Sequence, residues 1–281
     1  MVVVHPALAA SVRSIVVYDV DFAGPGVHIG MPSTDLTFVL PLDQPLEVSW
    51  VGTGGPRAVG WSSVSGLHTR AAAIHHGHHQ RGIQLSLTAA GARALWGVPA
   101  SALAGQLLGL DDVDVRLAEL PERLAAAGTW EGRLAVLEHA LLDAVRRRTR
   151  PQPRPEVGRA MALLTRGVPV AAVADDVGYS RRRLNTLVHD EVGVPPKTYQ
   201  RLARFSGAHA RMRAAALGGE VSVARIAADS GYADQAHLAR EWSDFAGCSP
   251  TEWLRREFPI VQASGDRDTT GWDERSHRAT R

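Results

Sequence analysis

Hydrophobic and polar positions follow two different periods along this chain. In residues 1–115, short apolar runs alternate with Gly, Pro and Asp, which is typical of β-strands in an antiparallel sheet or barrel. The runs that carry this pattern are SIVVYDV, LTFVLPL, LEVSWV, RAAAIHH and GIQLSLT. The segment TAAGARALWGV, which follows them, predicts a short helix that ends at Gly97.

Helical periodicity replaces the strand pattern from Asp114 to Arg148. A helix over residues 130–148 would carry four apolar side chains on one face, at spacings of i, i+3, i+7 and i+11: Leu134, Leu137, Leu141 and Val145. Residues 1–148 are therefore expected to form a β-rich, sensor-like domain that ends in helices. The apolar face of the last helix could pair two subunits, so a homodimer stays open.

Two changes of composition mark the remaining boundaries. Residues 146–155, RRRTRPQPRP, place three prolines among positive charges and predict an extended linker. Residues 261–281 are polar and without period, and we expect them to form a disordered tail. Between these segments, residues 156–260 are patterned almost throughout as helices and predict an all-α domain. The expected fold class is therefore α+β.

Composition narrows the class of protein. Apolar residues make up 45% of the chain, which excludes wholesale disorder. Residues 1–150 carry 12 Arg against 13 acids, and residues 151–281 carry 19 Lys and Arg against 16 acids. The small positive net charge of the second half mildly favours a polyanionic partner. The single cysteine, Cys248, excludes an internal disulfide and a multi-cysteine zinc site. Without a secretory signal or an apolar run long enough to span a membrane, we expect a cytoplasmic protein with no membrane partner.

One short phrase occurs twice in the second half. DDVGYSRRRL begins at Asp175 and ADSGYADQAHL begins at Ala228, so their Gly-Tyr pairs are separated by 53 residues. Each Gly follows an apolar stripe of helical period and precedes a second one, which predicts two short helices joined by a tight turn. The chain therefore contains a duplicated helix-turn-helix module, and the long helix expected over residues 196–217 would separate the two copies.

The second helix of each copy presents a polar stripe on the face opposite its buried leucine. In the first copy, Ser180 can cap the helix, and Leu184, Leu187 and Val188 point inward. The exposed stripe then reads Arg182, Asn185, Thr186 and His189. In a major groove, Arg can form two hydrogen bonds to guanine, Asn can do so to adenine, and a Thr methyl can touch thymine. The stripe of the second copy reads Ala236, Ala239, Arg240 and Ser243 and is poorer in such groups.

The region from Val168 to Phe258 resembles the DNA-binding domain of the AraC/XylS family of transcription regulators. The resemblance rests on VAAVADDVGYSRRRLNTLVHDEVGVPP and VARIAADSGYADQAHLAREWSDFAGCSPTEW, which together cover about a third of the chain. It implies promoter DNA as the partner, a seven-helix domain with two helix-turn-helix modules joined by a long helix, and a sensor domain in front that responds to a small-molecule effector or another partner.

Nine residues are the candidate DNA contacts: Ser180, Arg181, Arg182, Asn185, Thr186, His189, Gln235, His237 and Arg240. For Gln235 and His237, a contact to DNA and a purely structural role both stay open, and His189 could contact phosphate or nothing. Asp176 and Asp229, just before the two turns, are expected to be helix-end and turn partners.

Two other features suggest chemistry and are given simpler interpretations. The run HHGHH, from His75 to His79, could hold zinc or copper, but consecutive strand residues point to opposite faces, and Gly77 is typical of a hairpin tip. We therefore expect a solvated loop and no metal. Cys248 invites comparison with DNA methyl-repair proteins, but these use several cysteines, so we expect no such chemistry.

The sequence thus favours a DNA-binding transcription regulator that is not an enzyme and needs no cofactor. The alternative is an enzymatic or metal-binding front domain that the helix-turn-helix domain delivers to DNA. No catalytic triad spacing, phosphate-binding loop or carboxylate pair in residues 1–150 supports this alternative.

Overall fold

The structure, a computed structural model, describes residues 2–148 and 154–258. Nine strands occupy the front half, and their alternation of apolar and polar positions explains why they form sheets. They are β1 Val12–Asp21, β2 Gly26–Gly30, β3 Leu36–Pro41, β4 Leu46–Trp50, β5 Ala58–Gly60, β6 Ser63–Ser65, β7 Ala72–His76, β8 His79–Leu87 and β9 Leu107–Leu108. The five strands predicted from sequence are present as β1, β3, β4, β7 and β8.

The strands form two antiparallel sheets that face each other. One sheet has the order β1-β8-β3-β6-β9 and the other the order β2-β7-β4-β5. In β8, Ile83, Leu85 and Leu87 are fully buried in the core with the front-half helices, whereas Gln80 and Gln84 point to the other face and line a cavity between the sheets. The period of two thus gives the larger sheet a packed face and a face toward the second sheet.

The histidine run lies where the chain passes from one sheet to the other. β7 ends at His76 and pairs with β2, while β8 begins at His79 and pairs with β1. The expected hairpin at Gly77 is therefore wrong, because the flanking strands belong to different sheets and do not pair. The sequence contained no signal for this, since sheet membership depends on partners far away in the chain.

Four helices complete the front half: α1 Ala89–Trp96, α2 Leu110–Val113, α3 Leu120–Ala126 and α4 Trp130–Arg147. Short 3₁₀ turns lie at Pro6–Leu8, Ala100–Leu103 and Val115–Leu117. As predicted, Gly97 ends α1 with a φ of 77°. The apolar face of α4, however, is buried within the chain, where Leu137 and Leu141 have no exposed surface. This corrects the idea that the face is free to pair two subunits.

Arg148, which the sequence pattern assigned to the start of the linker, is bound inside the front half. Its Nη2 donates to Oδ2 of the buried Asp114 at 2.7 Å, and its Nε donates to the Leu95 carbonyl at 2.8 Å. The end of α4 is thereby fastened to α1. The predicted linker, residues 146–155, is also wrong at its ends, because Arg146 and Arg147 belong to α4 and Pro155 begins the first helix of the rear half. Residues 149–153 lie outside the described residues, as does the predicted tail at 261–281.

The rear half is all helical, as predicted. Its helices are α5 Pro155–Thr165, α6 Val170–Asp176, α7 Arg181–Val192, α8 Pro196–Leu217, α9 Val223–Asp229, α10 Gln235–Ala246 and α11 Pro250–Glu257. The spacer helix α8 has 22 residues and begins at Pro196, whose fixed φ suits a first turn. Buried side chains of both halves form one continuous core, from Leu8 to Leu254. The front half therefore packs directly on the helical half.

Candidate nucleic-acid interface

The first helix-turn-helix consists of α6 and α7. Val173 and Ala174 of α6 pack with Leu184 and Val188 of α7, and all four are at most 1% exposed. In the turn, Gly178 has a φ of 72°, which residues with a Cβ rarely adopt. The predicted cap at the start of α7 is confirmed, because Ser180 Oγ accepts a hydrogen bond from the Arg183 amide at 3.2 Å.

The polar stripe of α7 lies on the surface. Arg182, Asn185, Thr186 and His189 are all exposed, as are Ser180 and Arg181 at the start of the helix. Thr186 Oγ1 donates to the Arg182 carbonyl at 3.2 Å, which orients the threonine along the helix. The stripe thus presents a guanidinium, an amide and a hydroxyl from a helix that its own cap and buried face hold rigid.

Asp176 anchors the end of α6, as the sequence suggested. Its two carboxylate oxygens accept from Arg159 of α5, with Nε–Oδ2 and Nη2–Oδ1 distances of 2.5 and 2.8 Å. These hydrogen bonds lower the pKa of the Asp176 carboxyl. In the second module, Asp229 lies 3.7 Å from Arg225 one turn earlier in the same helix. Both acids therefore interact within the helical domain.

The second helix-turn-helix repeats the scaffold with α9 and α10. Gly231 has a φ of 73°, and Asp234 Oδ1 accepts from the His237 amide at 2.6 Å, so an aspartate replaces the serine cap of the first copy. Leu238, Trp242 and Phe245 are buried, as predicted. The two modules thus share the turn, the cap position and the apolar face.

The exposed face of α10 differs from that of α7. Gln235, Ala236, Arg240 and Ser243 are exposed. His237 is half-buried instead, and its ring packs edge-on against Tyr232 with centroids 5.2 Å apart. The structure therefore gives His237 a packing role, while its contact to DNA, like those of the other eight candidates, stays a prediction.

A buried acid that sequence reasoning missed holds α10 against the spacer helix. Glu241 is 4% exposed, and its carboxylate accepts hydrogen bonds from Arg201 and Arg204 of α8 and from the Tyr232 hydroxyl. Although burial raises the pKa of this carboxyl, the hydrogen bonds from these three side chains lower it overall. The sequence signal was an acid at an inward position, next to Trp242.

The C-terminal end of α7 is gripped by the front half. Arg93 of α1 donates from Nε and Nη2 to the Glu191 carboxylate, and Ser101 Oγ donates to the Asp190 carbonyl at 2.6 Å. Gly193, which follows α7, lies so close to the front half that a Cβ at this position would be 2.3 Å from the Ala104 Cβ. These contacts lie at the end of the helix opposite to Arg182, so they leave the polar stripe open.

A second junction between the halves encloses a cavity of about 330 Å³. The two sheets supply most of its walls, among them Val16, Tyr18, His28, Val39 and Ile74. Helix α8 contributes His209 and Arg213, and the end of the chain contributes Trp253, Glu257 and Phe258. Because Glu257 Oε1 accepts from the Ile29 amide at 3.0 Å, the end of α11 is bound directly to β2.

The cavity walls are nearly uncharged. Burial, reinforced by the neighbouring His76, lowers the pKa of His28 to about 4. Burial, together with Arg213, likewise lowers the pKa of His209 to about 4. The pKa values of Tyr18 and Glu257 are raised, in both cases chiefly by burial.

Within the described residues, no group of three or more His, Cys, Asp or Glu could hold a metal ion, the histidine run included.

The helical half matches a known family. A family model described as a helix-turn-helix domain covers residues 173–256, from within α6 to within α11, and so contains both modules and the spacer. Residues 173–256 are an AraC-type helix-turn-helix domain. In a comparison with curated proteins, no sequence matches the chain.

Solved structures of ToxT from Vibrio cholerae resemble nearly the whole chain. An apo variant from strain SCE256 has a TM-score of 0.51 at 13% identity, over 86% of this chain and 97% of that one. Another crystal form has a TM-score of 0.50 at 10% identity, again over 86% and 97%. A structure of ToxT with an unsaturated fatty acid bound covers 87% of this chain and 95% of that one, with a TM-score of 0.49 at 11% identity. The first two likenesses establish a shared fold: a β-rich front half that precedes the AraC-type domain.

Within the part of the chain that the structure describes, no helix is long and apolar enough to cross a membrane.

Proposed function

We propose that this chain is a sequence-specific DNA-binding transcription regulator whose front half senses a small molecule. The AraC-type domain supports DNA binding. The observation that carries sequence specificity is the stripe of Arg182, Asn185 and Thr186, exposed on a helix whose buried face and cap fix its orientation.

The first module is proposed to read bases. With α7 in a major groove, Arg182 can form two hydrogen bonds to guanine, Asn185 can do so to adenine, and the Thr186 methyl can touch thymine. Ser180 and Arg181, at the start of the helix, and His189, about two turns beyond Arg182, are placed to meet the DNA backbone. All six side chains are exposed.

The second module is proposed to hold the backbone. Along the stripe of α10, Ala236 and Ser243 are too short to form paired hydrogen bonds with a base, which leaves Gln235 and Arg240 as the long exposed side chains. His237 is the weakest of the nine candidates, because its ring packs on Tyr232. Two such modules on the rigid α8 suit successive major grooves on one face of DNA, about 34 Å apart.

The cavity between the sheets is the proposed effector site. Its walls come from both halves, so a molecule bound there contacts the front sheets, the spacer helix and α11 at once. A ligand changes the balance between two arrangements of the halves only if it binds one arrangement better than the other. A site shared by both halves permits this.

We also predict domain boundaries at 148 and 156 and a cytoplasmic location, with no membrane partner and no catalysis. Whether the protein forms a homodimer stays open.

Genome-wide mapping of bound DNA, followed by footprinting of one site, tests the proposal. We expect a small set of sites with a shared motif, protected over two successive major grooves on one face. Binding spread evenly over the genome, with no motif, would contradict sequence-specific regulation.

A further inference from the structure

We infer that the cavity between the two sheets takes an uncharged, largely aromatic molecule. This inference deepens the proposed function and rests on its sensing role for the front half. It is carried by the size and the lining of the cavity and by the placement of its charges.

The walls suit a flat apolar ligand. Aromatic rings come from both halves: Tyr18 and Phe22 from the front, and Trp253 and Phe258 from the end of the chain. Aliphatic side chains such as Val16, Val39 and Ile74 fill the space between them. The volume of about 330 Å³ lies at the lower end of the range typical of small-molecule sites, roughly 300–1,000 Å³.

The charges in the walls oppose a charged ligand of either sign. Arg213 and Glu257 are the only described lining residues with charged side chains, and Lys197, the single lysine of the sequence, is not among them. Arg213 is exposed at the rim, whereas Glu257 is half-buried and bound to the Ile29 amide. The Glu257 carboxylate would repel an anion inside the cavity. Arg213 would repel a cation on entry, and the acid that the cation could pair with, Glu257, already accepts a hydrogen bond from the Ile29 amide. Since a charge that leaves water needs a dedicated partner, the walls favour a neutral molecule.

The two imidazoles in the walls add no charge to the cavity. His28 and His209 are uncharged at neutral pH, because burial holds the pKa of each near 4. The groups that face them are His76 beside His28 and Arg213 beside His209. Both rings therefore offer a neutral hydrogen-bonding surface.

The test uses a matched set of fluorescent naphthalenes with the full-length protein. The neutral ketone 6-propionyl-2-(dimethylamino)naphthalene is compared with two relatives in which the propionyl group is replaced by a carboxylate or a trimethylammonium group. Emission reports burial of the ring, and titration gives the affinity. We expect the ketone to bind at least tenfold more tightly than either charged relative.

Variants show where the probe lies. Ile74→Trp fills the cavity from β7 and should reduce binding of the ketone at least tenfold, and Val39→Phe should do the same from the opposite sheet. Val59→Trp is the matched control, because Val59 is 65% exposed on β5 of the same sheet as Ile74 and lines no part of the cavity. Circular dichroism confirms that each variant is folded.

Each outcome decides the inference. Tighter binding of the carboxylate would mean an organic acid as ligand, and tighter binding of the ammonium compound would mean a cation. Either result overturns the inference, as do equal binding of all three probes, no binding of any, or ketone binding that both cavity variants leave unchanged. If the ketone binds as expected but mapping finds no DNA motif, the proposed function fails while the ligand class stands.

Discussion

Arg93 of α1 and Glu191 of α7 form a two-pronged ion pair across the junction of the two halves. Nη2 and Oε2 lie 2.9 Å apart, and the Glu191 side chain is only 7% exposed. The pair joins the front half to the very helix that carries the proposed base-reading stripe. Because a buried carboxylate that loses its partner is left without compensation, this contact has a measurable effect on stability.

Arg93→Ala should lower the free energy of unfolding of the full chain by about 3 kcal/mol, because it strands Glu191 in the interface. Urea unfolding followed by circular dichroism measures the loss. The control is Arg57→Ala, which removes a pair with Glu47 whose two side chains are 53% and 36% exposed, and it should cost far less because solvent screens an exposed pair. Equal losses in the two variants would mean that the junction adds no stability of its own.

Arg182→Ala should weaken binding to the specific site by about 1–3 kcal/mol and relax the preference at one base position. The reason is that a guanidinium can form two hydrogen bonds to guanine and alanine forms none. Affinity is measured on the specific duplex and on a scrambled one. Arg123→Ala, an exposed arginine of α3, removes the same charge far from the stripe and should change neither value. A similar loss on both duplexes would show that Arg182 contacts only phosphate.

Arg240→Ala should weaken binding to every duplex and reduce the slope of log affinity against log salt by about one, because a lost phosphate contact releases about one counterion fewer. The measurement is affinity at several salt concentrations, for wild type and variant, on specific and scrambled DNA. A loss confined to the specific duplex with an unchanged slope would instead make α10 a base reader.

Glu241 should make stability depend on pH below its ordinary value of 4.5. Its pKa is lowered in the folded protein, so its contribution is complete above 4.5 and is lost as the pH falls through the lower folded value. Urea unfolding between pH 6 and pH 3 should therefore show a smaller decline in Glu241→Gln than in wild type. Glu220→Gln, at an exposed position, should follow wild type. Parallel declines in all three proteins would show that Glu241 does not contribute.

Residues 156–260 should fold and bind DNA without the front half, because both modules and their spacer share buried contacts of their own. In this fragment Glu191 faces water instead of Arg93, so Glu191→Ala should change its stability by less than about 0.5 kcal/mol. The same substitution in the full chain breaks the buried pair. A fragment that circular dichroism shows to be unfolded would place the domain boundary elsewhere.

Local chemistry determined much of this protein. The turns at Gly178 and Gly231, the Ser180 cap, the Pro196 start of α8 and the exposed stripe of α7 all follow from interactions within a few residues, so the sequence alone predicts them. The strand runs of the front half were likewise readable, because alternation along a strand reports one buried face.

Only the tertiary structure decided which distant groups meet. It places the histidine run between two sheets, buries the α4 face that the sequence left open to a partner, and brings Arg93 to Glu191 across 98 residues and Arg201 to Glu241 across 40. Local periodicity marks a residue as inward or outward but does not name its partner, since partners are set by the packing of whole elements. The cavity belongs to this second class, because its walls come from segments as far apart as Val16 and Phe258.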